Sequence, residues 1–202
     1  MAQKFDFGLS SAVNVSHRFQ NPNHLREILK WNLDSLVLNQ HPYKPFKTFS
    51  LNDLLVTNAN ALELHDVTLY VRDLNRFFKL WMKKMFNPRL EYLHVRTSDG
   101  NVNKDILLEG LNAVQVSHET KRTFRVLGNV KQQYSWEKIA AEFDITRADG
   151  RTATIRFGES HRMESIYFYV WPGSTNDQSL LVSLFMSESS IASFCSVSFC
   201  PA

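Results

Sequence analysis

The sequence predicts an α/β fold: a leucine-rich-repeat-like, curved, mostly parallel strand array with helices on one face, plus a C-terminal antiparallel hairpin and third strand. Three observations predict it. A short apolar pattern recurs at intervals of roughly 30 residues, which is typical of stacked structural repeats. Helix-like sequence fills the gaps between the copies. Between Phe143 and Trp171 the apolar residues alternate with period two, as strands do.

The repeated pattern places apolar residues at its first, fourth and sixth positions. Three copies are clear: Leu33-x-x-Leu36-x-Leu38, Ala59-x-x-Leu62-x-Leu64 and Leu90-x-x-Leu93-x-Val95. If each copy ends in a strand, residues 36, 62 and 93 lie side by side in one sheet. Two weaker copies, Leu111-x-x-Val114-x-Val116 and Ala140-x-x-Phe143-x-Ile145, would extend the array.

Helix signals lie between these strands. Asn21-Pro22 is a helix start, and Ser50 with Asp53 has the spacing of a capping box. A short helix at about 103–109 should end at Gly110, since glycine favours the left-handed conformation found after helix ends.

The strongest helix is predicted over about Tyr70 to Lys84. Its apolar side chains recur with the spacing of one buried face, at Leu74, Phe77, Phe78, Trp81 and Met85. Asn75 is a poor residue for a helix interior, so we expect it to fix a neighbouring loop by hydrogen bonding. The outer face carries a basic stripe of Arg72, Arg76, Lys79 and Lys83.

The hairpin around Asp149-Gly150 has a predicted register. Its apolar residues share one face only if Ile145 pairs with Ala153 and Phe143 with Ile155. That register requires a three-residue loop, 148–150, with Gly150 in the left-handed conformation. A third strand follows at Ile166–Trp171.

Composition narrows the class of protein. The net charge of +3 and the pI of about 8.9 are too mild to indicate a nucleic-acid or membrane-surface protein. The cysteines are Cys195 and Cys200, which lie too near the end of the chain to form a disulfide framework for the fold. The sequence also shows neither a secretory leader nor a long apolar run. We therefore expect an intracellular protein, in the cytoplasm or nucleus.

Motifs for catalysis or metal binding are missing from the sequence. No two of the seven histidines have the spacing that presents paired metal ligands on a helix. Nucleophile elbows and phosphate-binding glycine loops are also absent. We expect no enzyme activity, no metal and no cofactor; an enzyme of unrecognised class is the second alternative.

The candidate binding residues come from the alternation of strand side chains. If the repeat leucines face the helices, the residues between them line the opposite face. These protein-binding candidates are Ser35, Val37, Glu63, His65, Tyr92, His94 and Arg96. A merely solvated sheet face remains the other interpretation.

We predict three parts along the chain. Residues 1–20 form an N-terminal extension, and residues 21–171 form a recognition domain with a repeat-like part at 21–118 and a hairpin part at 140–171. Residues 172–202 form a linker and a tail rich in serine and phenylalanine.

Two blocks carry a family resemblance. The first is Asp73-Leu74-Asn75-Arg76-Phe77-Phe78-Lys79-Leu80-Trp81 with Asn87-Pro88-Arg89-Leu90-Glu91-Tyr92-Leu93, and the second runs from Phe143 to Ile155 with Tyr169-Val170-Trp171 after it. They resemble the F-box-associated domain, type 2, of nematode F-box proteins. The N-terminal 20–50 residues do not resemble an F-box, the helical segment that docks on the Skp-family adaptor of a cullin ubiquitin ligase.

The resemblance implies a non-catalytic protein–protein interaction module, like the substrate-recognition part of an F-box protein. Its partner would be an unknown target protein, and without a recognisable F-box a ligase adaptor is not expected. No membrane contact is expected. The first alternative is binding of nucleic acid or an acidic partner through the basic stripe, which predicts binding that weakens with salt.

Overall fold

The computed structural model describes residues 11–15, 22–39, 49–67, 69–97, 102–117, 119–120, 122–131, 138–160 and 163–172. The predicted helix cap at Asn21 and the tail beyond 172 lie outside these residues. The helices are α1 Pro22–Leu29, α2 Leu51–Val56, α3 Val71–Met82 and α4 Lys104–Leu108. The strands are β1 Ala12–Val15, β2 Ser35–Asn39, β3 Ala61–His65, β4 Tyr92–Thr97, β5 Val114–Gln115, β6 Arg125–Val126, β7 Asn129–Val130, β8 Lys138–Thr146, β9 Thr152–Ser160 and β10 Met163–Val170.

The repeat-like half forms parallel strands joined by helices. Strands β1, β2, β3 and β4 pair in this order, all parallel, with α1, α2 and α3 as the connections. Leu36 pairs with Leu62 and Leu62 with Leu93, which confirms the predicted alignment of the three copies. Strand β1 was missed, since it lies in the predicted N-terminal extension.

The second half of the sheet is antiparallel. The full order is β1-β2-β3-β4-β10-β9-β8-β5, and each pairing after β4 is antiparallel. The prediction of a mostly parallel array therefore included too many strands. The two weaker repeat copies fall in β5 and β8, which pair antiparallel with each other. The mixed α/β class is confirmed, whereas leucine-rich-repeat-like curvature stays a prediction.

The hairpin has the predicted register. Ile145 pairs with Ala153 and Phe143 with Ile155, and the chain turns through residues 148–150. Gly150 has φ +85° and donates its N–H to the Arg147 carbonyl at 2.8 Å. The third strand is longer than predicted and begins at Met163.

The main core lies between the sheet and the helices. Leu74, Phe77, Phe78 and Trp81 of α3 are buried there against the repeat leucines. Met85 was wrongly assigned to this stripe: it is 69% exposed, because α3 ends at Met82 and Lys84 takes a positive φ of 60°.

Local signals at the helix ends are confirmed. The Asn75 side chain donates to the carbonyls of Leu107 and Glu109 at 2.8 and 2.9 Å, so it fixes the end of α4. Ser50 and Asp53 form the predicted capping box, and Gly110 has φ +69°. Among the described residues, no helix is both long and apolar enough to cross a membrane, and the compartment stays a prediction.

The two halves are joined beside α3. Trp81 packs edge-on against Phe168 of β10 with 5.0 Å between ring centroids, and the Arg147 guanidinium lies 5.2 Å from the Trp81 ring. The Ala148 N–H donates to the Met82 carbonyl at 2.8 Å. The hairpin turn is thus attached to the end of the helix that precedes β4.

Candidate functional site

The sheet has an outer face, opposite the helices, formed by alternate residues of its strands. The register aligns Val37, Glu63 and His94 in one row that continues through Tyr167, and Ser35 and Tyr92 lie in the adjacent row. His65 pairs with Arg96 in the row on the other side. The seven predicted binding residues therefore share this face, as the alternation requires.

A short segment covers part of the outer face. This cover segment, residues 122–131, contains the β6–β7 hairpin. Phe124 stacks on Tyr169 with 4.0 Å between centroids, and the Arg156 guanidinium lies 4.4 Å from the Phe124 ring. The result is a second, smaller core of aromatic residues on the side of the sheet away from the helices.

The cover segment divides the predicted binding residues into two groups. Tyr92 is fully buried and His94 is 2% exposed, so they lie beneath the surface. The other five, Ser35, Val37, Glu63, His65 and Arg96, are partly accessible, although the side chains of Glu63 and His65 are only 15% and 12% exposed. A partner that docks on the outer face would contact the second group, and the binding role of all seven residues stays a prediction.

Glu63 lies at the centre of a polar cluster. Its Oε1 is 2.7 Å from the Lys131 ammonium of the cover segment, which also lies 4.7 Å from the Tyr92 ring. Its Oε2 is 3.3 Å from His65 Nε2 and 3.9 Å from His94 Nδ1. The Glu63 side chain is 15% exposed, so these contacts are largely shielded from water.

The pKa of Glu63 is held well below its usual value. Burial raises this pKa, but polar contacts with His65 and His94 and the ion pair with Lys131 together outweigh burial. Glu63 is therefore a carboxylate at neutral pH, and its charge is paired with the Lys131 ammonium.

The cover segment is also held by charge at its other end. Arg122 forms a two-pronged ion pair with Asp144, with N–O distances of 2.7 and 2.9 Å. Burial raises the pKa of Asp144, yet the hydrogen bonds from Arg122 and Thr154 and the Arg122 charge lower it overall. A groove of about 520 Å³ lies between the cover segment and β8–β9, and Arg122 and Arg156 in its lining are both ion-paired.

Part of the chain is similar to a known protein family. Residues 24–95 match the family model described as F-box associated. The match confirms the resemblance predicted from the helix-and-strand block at 73–93, whereas the second block, from 143 onward, lies outside the matched residues. Searches of curated proteins and of solved structures found no match.

The segment that matches this family model, residues 24–95, supplies the parallel strands β2 and β3, most of β4, and the helices over them. It carries six of the seven predicted binding residues, all except Arg96, which lies one residue beyond the match, and also the basic stripe. Arg72, Arg76 and Lys83 of that stripe are exposed, and Lys79 is half-buried beside Gly110. The stripe lies on a helix whose opposite side packs on the sheet, so it is remote from the outer face.

Two features of the site were missed from the sequence. The histidines were tested only for helical spacing, yet His65 and His94 meet because β3 and β4 are neighbours, with 5.2 Å between ring centroids. The aligned repeats already implied this neighbourhood. The cover segment had no such signal, because Lys131 reaches Glu63 across 68 residues of sequence.

Proposed function

We propose that this chain is a non-catalytic protein-recognition module, the substrate-binding part of an F-box type protein of a cullin ubiquitin ligase. The observation that carries this proposal is the F-box-associated match over residues 24–95. That segment supplies β2, β3 and most of β4, whose outer face carries the predicted binding residues other than Arg96.

The target protein would dock where the outer face is accessible. Val37 offers an apolar contact and Ser35 a hydroxyl beside it on β2, while Arg96 offers a cation two strands away. Arg96 is held 3.2 Å from Asp66, which fixes the guanidinium before a partner arrives. Tyr92 and His94 would support this surface from beneath, because they are buried.

The test is affinity capture with the tagged full chain, read by quantitative mass spectrometry for ligase adaptor and scaffold proteins and for co-purified targets. Val37→Arg places a long charged side chain on the outer face and should remove the target. The matched control, Arg72→Glu with Arg76→Glu, changes the helix side and should retain it. Both variants should keep the parent's thermal unfolding temperature.

Two results would contradict the proposal. One is capture that yields no reproducible target protein. The other is loss of the target in the helix variant with retention in Val37→Arg, which would support the basic stripe instead. In that case binding should also weaken steeply with added salt, since exposed cations attract nucleic acid or an acidic protein mainly by screened electrostatics.

A further inference from the structure

We propose that Glu63, His65 and His94 form a binding site for a divalent transition-metal cation, with Zn²⁺ the best fit. Their ligand atoms all lie within 4.8 Å of one another. Two imidazoles and one carboxylate are a donor set that zinc uses in proteins with a water as fourth ligand. The proposal does not depend on the proposed function.

The distances suit a tetrahedral ion. Zinc binds histidine nitrogen and carboxylate oxygen at about 2.0 to 2.2 Å, so two ligand atoms in a tetrahedron are about 3.4 Å apart. Glu63 Oε2 and His65 Nε2 are 3.3 Å apart. Oε2 and His94 Nδ1 are 3.9 Å apart, so these two groups have to move slightly closer together when an ion binds.

His65 supplies an independent observation. Its Nε2 atom is buried, and within the described part of the chain it makes no hydrogen bond of good geometry. A buried polar atom without such a bond costs free energy. A metal ion bound between His65 and Glu63 would satisfy this atom and the carboxylate together.

The backbone holds the ligands in place. Glu63 and His65 are two residues apart on β3 and point to the same face, and Glu63 pairs directly with His94 on β4. The His94 ring is also stacked on Tyr167 with 4.3 Å between centroids. Ligands fixed by strand pairing and ring packing lose little freedom when an ion binds.

Lys131 should lower the affinity of this site for zinc. Its ammonium contacts Oε1 of Glu63 and leaves Oε2 directed at the histidines. The positive charge of Lys131 opposes a second cation nearby, so the site should bind zinc less tightly than the same ligands without the lysine. Removing the Lys131 charge should therefore strengthen zinc binding. If the cluster is purely structural, the same change should leave zinc binding unaltered.

The experiment is isothermal titration of the chelator-treated full chain with ZnCl₂ near pH 7, with Co²⁺ absorption as a reporter of tetrahedral geometry. We expect one equivalent of zinc. His65→Gln removes a direct ligand and should weaken binding by more than the roughly tenfold that loss of an outer-shell partner costs. Lys131→Met should tighten it, and His24→Gln, on an exposed position of α1, should leave it unchanged.

His65→Gln and Lys131→Met are expected to change the zinc affinity in opposite directions. If His65→Gln fails to fold, the tightening in Lys131→Met still distinguishes this site from adventitious binding. The proposal is overturned if the parent binds no zinc, or if His24→Gln alters the affinity as much as His65→Gln does. It is also overturned if Lys131→Met leaves the affinity unchanged.

Discussion

The two faces of this sheet are made by alternate residues of the same strands, yet they are buried in different ways. On the inner face, Leu62 and Leu93 pack under helices in a continuous apolar core. On the outer face, Glu63 and His94, each the next residue along its strand, lie in a polar and aromatic cluster partly covered by residues 122–131.

The difference shows that one strand sequence can encode two kinds of stabilisation. The inner face depends on apolar area removed from water, which does not respond to pH. The outer face depends on ring stacking and on ion pairs whose protonation does respond to pH. The following predictions test that contrast, beginning with the largest effect.

Trp81→Ala should cost the most, about 4 to 5 kcal/mol of unfolding free energy, since it removes a large side chain from a close-packed core. Trp81 is fully buried and packs against Phe168 and the Arg147 guanidinium. Urea unfolding measures the loss. Met85→Ala, at a 69% exposed position just beyond the helix, is the control and should change stability by less than about 0.5 kcal/mol.

Phe124→Ala should cost about 3 kcal/mol, at the low end for a buried phenylalanine. Here the loss should be local, because Phe124 precedes a short hairpin, β6–β7, which forms a two-stranded sheet separate from the main sheet. Hydrogen exchange should quicken at the Leu127 and Lys131 amides and stay unchanged in α3. Equal quickening throughout the protein would show that the two faces unfold as one unit; Thr123→Ala, at the exposed neighbour, is the control.

Glu63→Gln should alter the pH dependence of stability by about 2 kcal/mol, the value of hydrogen bonds to a charged group. Because folding lowers the pKa of Glu63 from its ordinary 4.5, its contribution is present above that value and is lost as pH falls below it. The parent should therefore lose more stability than the variant between pH 5 and pH 3. Glu27→Gln, on the exposed side of α1, should follow the parent curve.

Gly150→Val should have the smallest effect, about 1 kcal/mol, from the left-handed backbone alone. Gly150 has φ +85°, and a Cβ there meets nothing within 4 Å. This residue fixes the hairpin register that keeps inner and outer residues of β8 and β9 in phase. Ala148→Val in the same loop should leave the thermal unfolding temperature unchanged, and an equal loss in both variants would argue against the register.

The sequence predicted what local signals and repetition encode. Residues 36, 62 and 93 align because each copy of the repeat has the same spacing. The hairpin turn was predictable because its left-handed position favours glycine, which is present at Gly150. The sequence predicted the hairpin of β8 and β9 correctly but placed β5 and β8 in the parallel array, because Val114 and Phe143 fit the repeat pattern as well as any apolar strand. The aromatic contact between Phe124 and Tyr169 joins distant residues without any periodic signal.

The attachment of α3 to the second half has a consequence for expressing parts of this protein. A fragment cut at the limits of the family match, 24–95, would leave the Trp81 ring without Phe168 and Arg147, and would expose one side of β4 to unrelated strands. Such a fragment should aggregate, so shorter versions intended for crystallisation or screening need to retain β8 to β10.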